Sequence, residues 1–173
     1  TSARFFTPYG VAVTAEGVVY VADTGNHAVR RVTADGVVTT LAGSGQSGTR
    51  DGNGTAAQFS SPYGVAVDGA GAVYVADFNS HTVRKITPAG VVTTLAGSAG
   101  NRGFTDGNGS AARFSSPIDL AVDSAGVVYV VDRTNHAIRK ITPAGLVTTL
   151  AGTGSAGFAN GVGRAAAFHF PSG

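Results

Sequence analysis

The sequence predicts an all-β chain built as an array of four-stranded antiparallel sheets, and three observations carry that expectation. The junctions TPYGVAV, SPYGVAV and SPIDLAV place prolines at 8, 62 and 117, and HFPSG adds one at 171, so the steps are 54, 55 and 54 residues. Self-similarity at a fixed period of this length marks stacked or ring-forming units rather than one continuous fold. Each step holds four apolar runs of four to seven residues rich in Val, Tyr, Thr and Ile, and the 26 glycines recur at fixed places in the breaks.

In the first unit the runs are GVAV, VVYVAD, HAVRRV and VVTTLAG. β-Branched and aromatic residues suit a pleated, half-buried surface, and breaks such as TAEG, TADG and TPAG are turns between antiparallel neighbours. VVYVAD lacks the three-and-four spacing of a helix, and its near-continuous apolarity suits a strand covered on both faces. Four such strands per unit are the expected blade of a β-propeller, whose sheets pack between neighbours around an axis. The blades are expected over residues 8–61, 62–116 and 117–170 of a single segment, 1–173. Strand parity puts the long linkers and the DTGNH hairpins on one rim and the TAEG and TPAG turns on the other. The innermost strands VAV, VAV and LAV line the axis, with Asp68 and Asp123 just after them and Asp119 just before the third.

Composition narrows the function classes. With 43% hydrophobic and 13% charged residues the chain buries a core. Its formal net charge is +2 and its twelve basic residues are spread along the chain, which disfavours nucleic acid, since phosphates call for a basic stripe. The absence of cysteine excludes disulfides, Cys-ligated zinc and thiol catalysis. No apolar run approaches the roughly 18 residues of a helical membrane span. The start TSARFFTPYG has no initiator Met, basic leader or signal core, so the chain reads as a mature fragment or a designed piece.

The stretch PYGVAVDGAGAVYVADFNSHTVRKITPAG resembles an NHL repeat, the family named for its Asn-His-Leu signature, and TTLAGSAGNRGFTDGNGSAARFSSP resembles the long linker of its extended variety. The resemblance covers the whole chain and implies blades like those of six-bladed members. Relatives include scaffolds, sensor domains, RNA binders and a few metal-dependent lyases, so the resemblance implies no single activity. The extended linker resembles that of secreted bacterial arrays, which makes a secreted or cell-surface bacterial setting the expectation. The chain departs from the pattern at Asn79 to His81, where NSH replaces NH, at Asp119, where other units have Gly10 and Gly64, and at NGVG, where they have DGNG.

Three blades do not close a ring that takes four to eight. An open arc leaves two apolar faces bare, each holding several side chains whose burial contributes roughly 1.5 to 3 kcal/mol apiece. A homodimer of half-rings, giving six blades, is the economical closure, with the remaining blades of a longer chain as the alternative.

The polar hairpins DTGNHAVRR, DFNSHTVRK and DRTNHAIRK recur once per unit, as a structural part does. Asp23 with Arg30, Asp77 with Arg84 and Asp132 with Arg139 are expected to pair across each hairpin or to cap its amides, with Asn26 taking any positive φ. His27, His81 and His136 are structural in this reading, because equivalent positions on successive blades diverge whereas ligands converge within about 2.1 Å of one metal ion. The DGNG segments at Asp51 and Asp106 lack the ligand number and distal Glu of a calcium loop, and are expected as linker turns beside buried aromatics Phe5, Phe59, Phe114 and Phe168. No GxSxG elbow or isolated Ser, His and acid group is present, and His169 is expected as a surface or inter-chain contact.

Where units differ, a site can form. Those positions are Thr24, Phe78 and Arg133 after the hairpin Asp, Tyr9 and Tyr63 (with Ile118) after the junction proline, Asp119 at the axial mouth, and Arg102 and Phe104 in the longer linker. They make up the candidate binding rim. The expectation is a non-enzymatic scaffold or binding module without catalytic, metal or cofactor residues, whose partner is a protein or small ligand. The alternatives are a metal-dependent lyase or lactonase, which needs axial His, Asp, Glu or Asn, and an RNA binder using Arg50, Arg102 and Arg133.

Overall fold

The computed structural model describes residues 3–173. The first sheet orders β1 (Pro8–Val13), β2 (Val19–Asp23), β3 (Ala28–Val32) and β4 (Val38–Ala42) by sequence, each antiparallel to the last. After the short strand β5 (Gly52–Asn53), the second unit repeats the pattern as β6 (Pro62–Val67), β7 (Val73–Asp77), β8 (Thr82–Ile86) and β9 (Val91–Gly97). After β10 (Gly107–Asn108), the third follows as β11 (Pro117–Val122), β12 (Val128–Asp132), β13 (Ala137–Ile141) and β14 (Leu146–Ala151). These are β-propeller blades, packed in series with β1, β6 and β11 side by side.

Register sets the rims. Pro8 faces Asp23 and Asp23 faces Ala28, so junction and hairpin meet at one end. The turn after β1 lies at the other, where Asp68 and Asp123 cap their own turns: Asp68 Oδ1 accepts the amides of Ala70 at 3.0 Å and Ala72 at 2.9 Å, and Tyr74 donates its hydroxyl to Oδ2 at 3.0 Å. Burial and that bond push the Tyr74 phenol up to about 12. Asp123 and Tyr129 repeat the arrangement.

Two of the blades carry five strands, one more than expected from the sequence. The Gly-Asn pair of each linker crosses to the outer edge of the following sheet, β5 on β9 and β10 on β14. Two residues are enough because the next amide continues the pairing, Gly54 N–H donating to the Gly90 carbonyl at 2.9 Å. A linker thus belongs partly to the blade it precedes, and covers an edge that would otherwise be open.

The second blade, between the other two, presents a different face to each neighbour. Tyr20, Ala22, Val29 and Ala42 of the first sheet pack on Val65, Val73, Val75, Ile86 and Val92 of the second, with Phe59 between them. Tyr74, Ala76, Val83 and Ala96 of the second then pack on Leu120, Val128, Val130, Ile141 and Val147 of the third, around Phe114. The small Ala and flat Tyr of one face admit the branched side chains of the next, which is how cores reach full density. At the ends the same faces lie bare. Val11 and Val13, the counterparts of Val65 and Val67, are 67% and 62% exposed, and Ala121 is exposed on the opposite terminal face. The linker aromatics follow suit: Phe59 and Phe114 are fully buried, whereas Phe5 is exposed and Phe168 half-buried.

Candidate functional site

The hairpins are organised by a carboxylate and a guanidinium. Asp23 Oδ1 accepts the Phe6 amide at 2.7 Å, Asp77 Oδ1 that of Ser60 at 2.7 Å and Asp132 Oδ1 that of Ser115 at 2.8 Å. Each Oδ2 faces its arginine, Arg30 at 2.9 Å, Arg84 at 3.3 Å and Arg139 at 2.8 Å. Arg84 and Arg139 are completely buried. Their Nη2 atoms reach the linker carboxylates, Asp51 Oδ1 at 2.6 Å and Asp106 Oδ1 at 2.7 Å, while the guanidinium planes lie over Phe59 and Phe114, each 5.2 Å from the ring centroid. Asp51 also accepts from the Thr94 amide and hydroxyl, both at 3.1 Å, so the DGNG carboxylates hold linker to blade. Sequence reasoning missed this second carboxylate. Its signal is a fixed offset, with Asp51 and Asp106 each 33 residues before the arginine they bind.

The second hairpin differs in one donor. Asn26 and Asn135 donate to Asp23 and Asp132 Oδ2 at 2.9 and 2.8 Å, but Ser80 stands at that place and its hydroxyl lies between the Asp77 carbonyl and Thr82. Burial pushes Asp77 up to about 6, against the pull of the Ser80 hydroxyl, Arg84 and the Ser60 amide. Burial raises Asp132 as well.

The histidines close the hairpins and staple them forward. The left-handed residue is His27, at φ 48°, rather than the expected Asn26, and His81 and His136 match it at 61° and 50°. That turn carries each imidazole to the following junction. Nδ1 of His27, His81 and His136 accepts the amides of Ser61, Ser116 and Phe170 at 3.1, 3.1 and 2.9 Å. An accepting Nδ1 fixes the neutral ring with its proton on Nε2. Burial lowers the pKa of His81, helped by the charge of Arg102, and burial lowers that of His136, helped by His169. His169 rests 6.0 Å from His136 and 5.2 Å from Phe170, ring to ring.

The variable positions separate into two groups. Tyr9, Tyr63 and Phe78 form an aromatic ladder with centroids 4.5 and 4.7 Å apart. It leads to a cleft of about 300 Å³ at the axial mouth, lined by Tyr9, Gly10, Val11, Gly64, Val65, Ile118, Asp119, Ser172 and Gly173. The others lie apart from it. Thr24 is buried and donates its hydroxyl to the Pro62 carbonyl at 2.6 Å. Arg133 lies over the Phe170 ring at 5.2 Å. Phe104 lies between the guanidinium groups of Arg139 and Arg164, at 4.9 and 5.1 Å, and Arg102 is exposed beside His81.

The NHL repeat profile matches residues 7–32, 59–86 and 114–141. Each matched segment runs from a junction through the stapled hairpin to the end of the third strand of its blade. The chain is a three-repeat member of the NHL family. Human NHL repeat-containing protein 2 is 31% identical over 151 residues, which is 79% of this NHL chain and 21% of the human protein. A Bacteroides thetaiotaomicron protein of unknown function superposes with a TM-score of 0.74 at 28% identity, over 95% of this chain and 40% of that one. An auxiliary nutrient binding protein from Bacteroides ovatus shares the fold, with a TM-score of 0.72 at 21% identity over 98% of this chain and 43% of its own. This NHL chain therefore spans about a fifth of the curated relative and about two fifths of the solved ones.

Proposed function

We propose that this chain is a non-enzymatic binding module, half of a six-bladed NHL propeller, that takes its ligand at the axial mouth. One observation carries the reading. The polar groups that recur, the Asp, Arg and His of every hairpin, are engaged in building blades and stapling them together, whereas Tyr9, Ile118 and Asp119, which belong to the positions that vary, line one cleft, with Tyr63 and Phe78 stacked in series behind Tyr9. The Bacteroides ovatus likeness supports the fold on which such a mouth forms. A competing metal-enzyme reading needs axial ligands, but the inner strands bring Val11, Val65 and Leu120, and each hairpin imidazole already accepts an amide. Crystals soaked in manganese test the choice: an ion coordinated on the axis contradicts the binding-module reading, and amide shifts confined to the mouth in a ligand screen support it.

Closure of the ring belongs to the same proposal. The bare Val-rich face of the first blade and the bare Ala and Tyr face of the third reproduce the two sides of the interfaces already formed inside the chain. Two copies, head to tail twice, satisfy both faces. Residues 164–173 occupy the junction place before a fourth blade, Phe170 N–H donating to His136 as Ser116 does to His81. In a dimer they compete with residues 3–10 of the second copy, so one of the equivalent segments gives way.

A further inference from the structure

The axial cleft carries a chemical preference of its own. At the third residue of each junction the chain has Gly10, Gly64, Asp119 and Gly173, so a carboxylate enters the ring of glycines once. A Cβ on Gly64 would meet Asp119 Oδ1 at 2.5 Å, and the bare glycine is what leaves room for the carboxylate beside the neighbouring strand. The hairpin carboxylates each accept several donors, but among the described residues no donor lies on Asp119, and no Lys, Arg or His lines its cleft. The other polar side chains there are the Tyr9 hydroxyl and the Ser172 hydroxyl. Tyr9 is 65% exposed and packs its ring on Tyr63 at 4.5 Å.

We infer that the mouth binds a small organic cation, a primary ammonium or guanidinium group on an apolar stem. Resting on the binding-module reading, the inference names the class of ligand. A carboxylate accepts and does not donate, so the ligand must supply the donors, and a cationic donor forms the stronger, charge-assisted bond. The negative face of an exposed tyrosine ring attracts the same charge. The stem has Val11, Val65 and Ile118 to lie against. A neutral sugar would leave the charge of Asp119 uncompensated, and phosphate would be repelled by it.

The test follows the backbone amides of Gly64, Val65 and Ile118, which line the cleft outside the competing terminal segments, by NMR in the full chain, during titration with n-butylammonium chloride, with sodium chloride at equal ionic strength and with D-glucose. Saturable shifts with butylammonium alone are expected. Asp119→Asn should weaken the binding about tenfold or more, the scale of one charge-assisted contact, and Tyr9→Leu should weaken it several-fold. Asp119→Gly, which restores the residue of the other units, should fold as the parent does and fail to bind. Shifts with glucose but not butylammonium would overturn the cation assignment and leave the binding module standing. Equal butylammonium affinity in Asp119→Asn would overturn the role of the carboxylate, and silence of these amides to every probe would overturn both readings.

Discussion

Nδ1 of His81 accepts the amide of Ser116 at 3.1 Å, tying the hairpin of one blade to the junction of the next. The bond exists only while Nδ1 is unprotonated, so the staple has a pH window. Lowered folded-state pKa values at His81 and His136 mean that the unfolded chain binds more protons below about 6.5. Their contribution is full above that pH and is lost as pH falls through the folded values. Asp77, raised to about 6, and Asp132, raised as well, run the opposite way: their contribution is present below about 4 and is lost as pH rises through the folded values. His136→Asn isolates the histidine term, since an amide oxygen also accepts and Asn tolerates positive φ. Thermal unfolding of this variant should lose less stability than the parent between pH 7 and 5; parallel curves would contradict the staple.

Arg84 and Arg30 occupy equivalent places with unequal partners. Arg84 is buried and bonds Asp77, Asp51 and the carbonyls of Arg50 and Gln58, whereas Arg30 bonds Asp23 and the Arg4 carbonyl. Arg84→Ala leaves a buried carboxylate unpaired and should cost about 3–5 kcal/mol in urea unfolding. Arg30→Ala should cost clearly less. Equal losses would mean that the linker carboxylate contributes nothing.

The serine in the second hairpin predicts a gain. Ser80 and Thr82 stand where the other hairpins have Asn with Ala, at Asn26 with Ala28 and at Asn135 with Ala137. The double change Ser80→Asn, Thr82→Ala keeps side-chain volume nearly constant and replaces the hydroxyl near Asp77 by the amide donor that the other two hairpins direct at Oδ2. It should stabilise the chain by about 1 kcal/mol, the net worth of one such bond, and lower the pKa of Asp77, read from its carboxyl carbon shift by NMR.

Gly97 meets two constraints at once. Its φ is 96°, and a Cβ there would lie 2.6 Å from the His81 carbonyl. Gly97→Ala should therefore destabilise the second blade by more than about 1 kcal/mol, whereas Gly69→Ala, with open space around it, should be near neutral.

Much of the fold was legible because its signals are local and repeated: period, turn residues, and the Asp and Arg of each hairpin on adjacent strands. The fifth strands were not, since a Gly-Asn pair carries no strand propensity and pairs only because the next sheet offers an edge. The role of the histidines was hidden for a related reason. Asn is the expected left-handed residue of a tight turn, yet His27 takes that place because its imidazole gains a bond to Ser61, 34 residues away. The rim was half legible. Comparing units finds Tyr9, Tyr63, Phe78 and Asp119, but only packing tells them from Thr24, whose hydroxyl turns inward to Pro62.

The bare terminal faces put the account at its greatest risk, and the mass of the chain in solution tests it most directly. Sedimentation equilibrium should give twice the chain mass of 17.2 kDa, with Val21→Glu, opposite Val11 on the bare face of the first blade, or Ile138→Glu, the counterpart of Val83 on the bare face of the third, returning it to one chain mass without loss of β structure. Removing residues 164–173 should tighten the association by relieving the competition at the junction. A folded monomer at every concentration, with or without those residues, would contradict the closure of two half-rings.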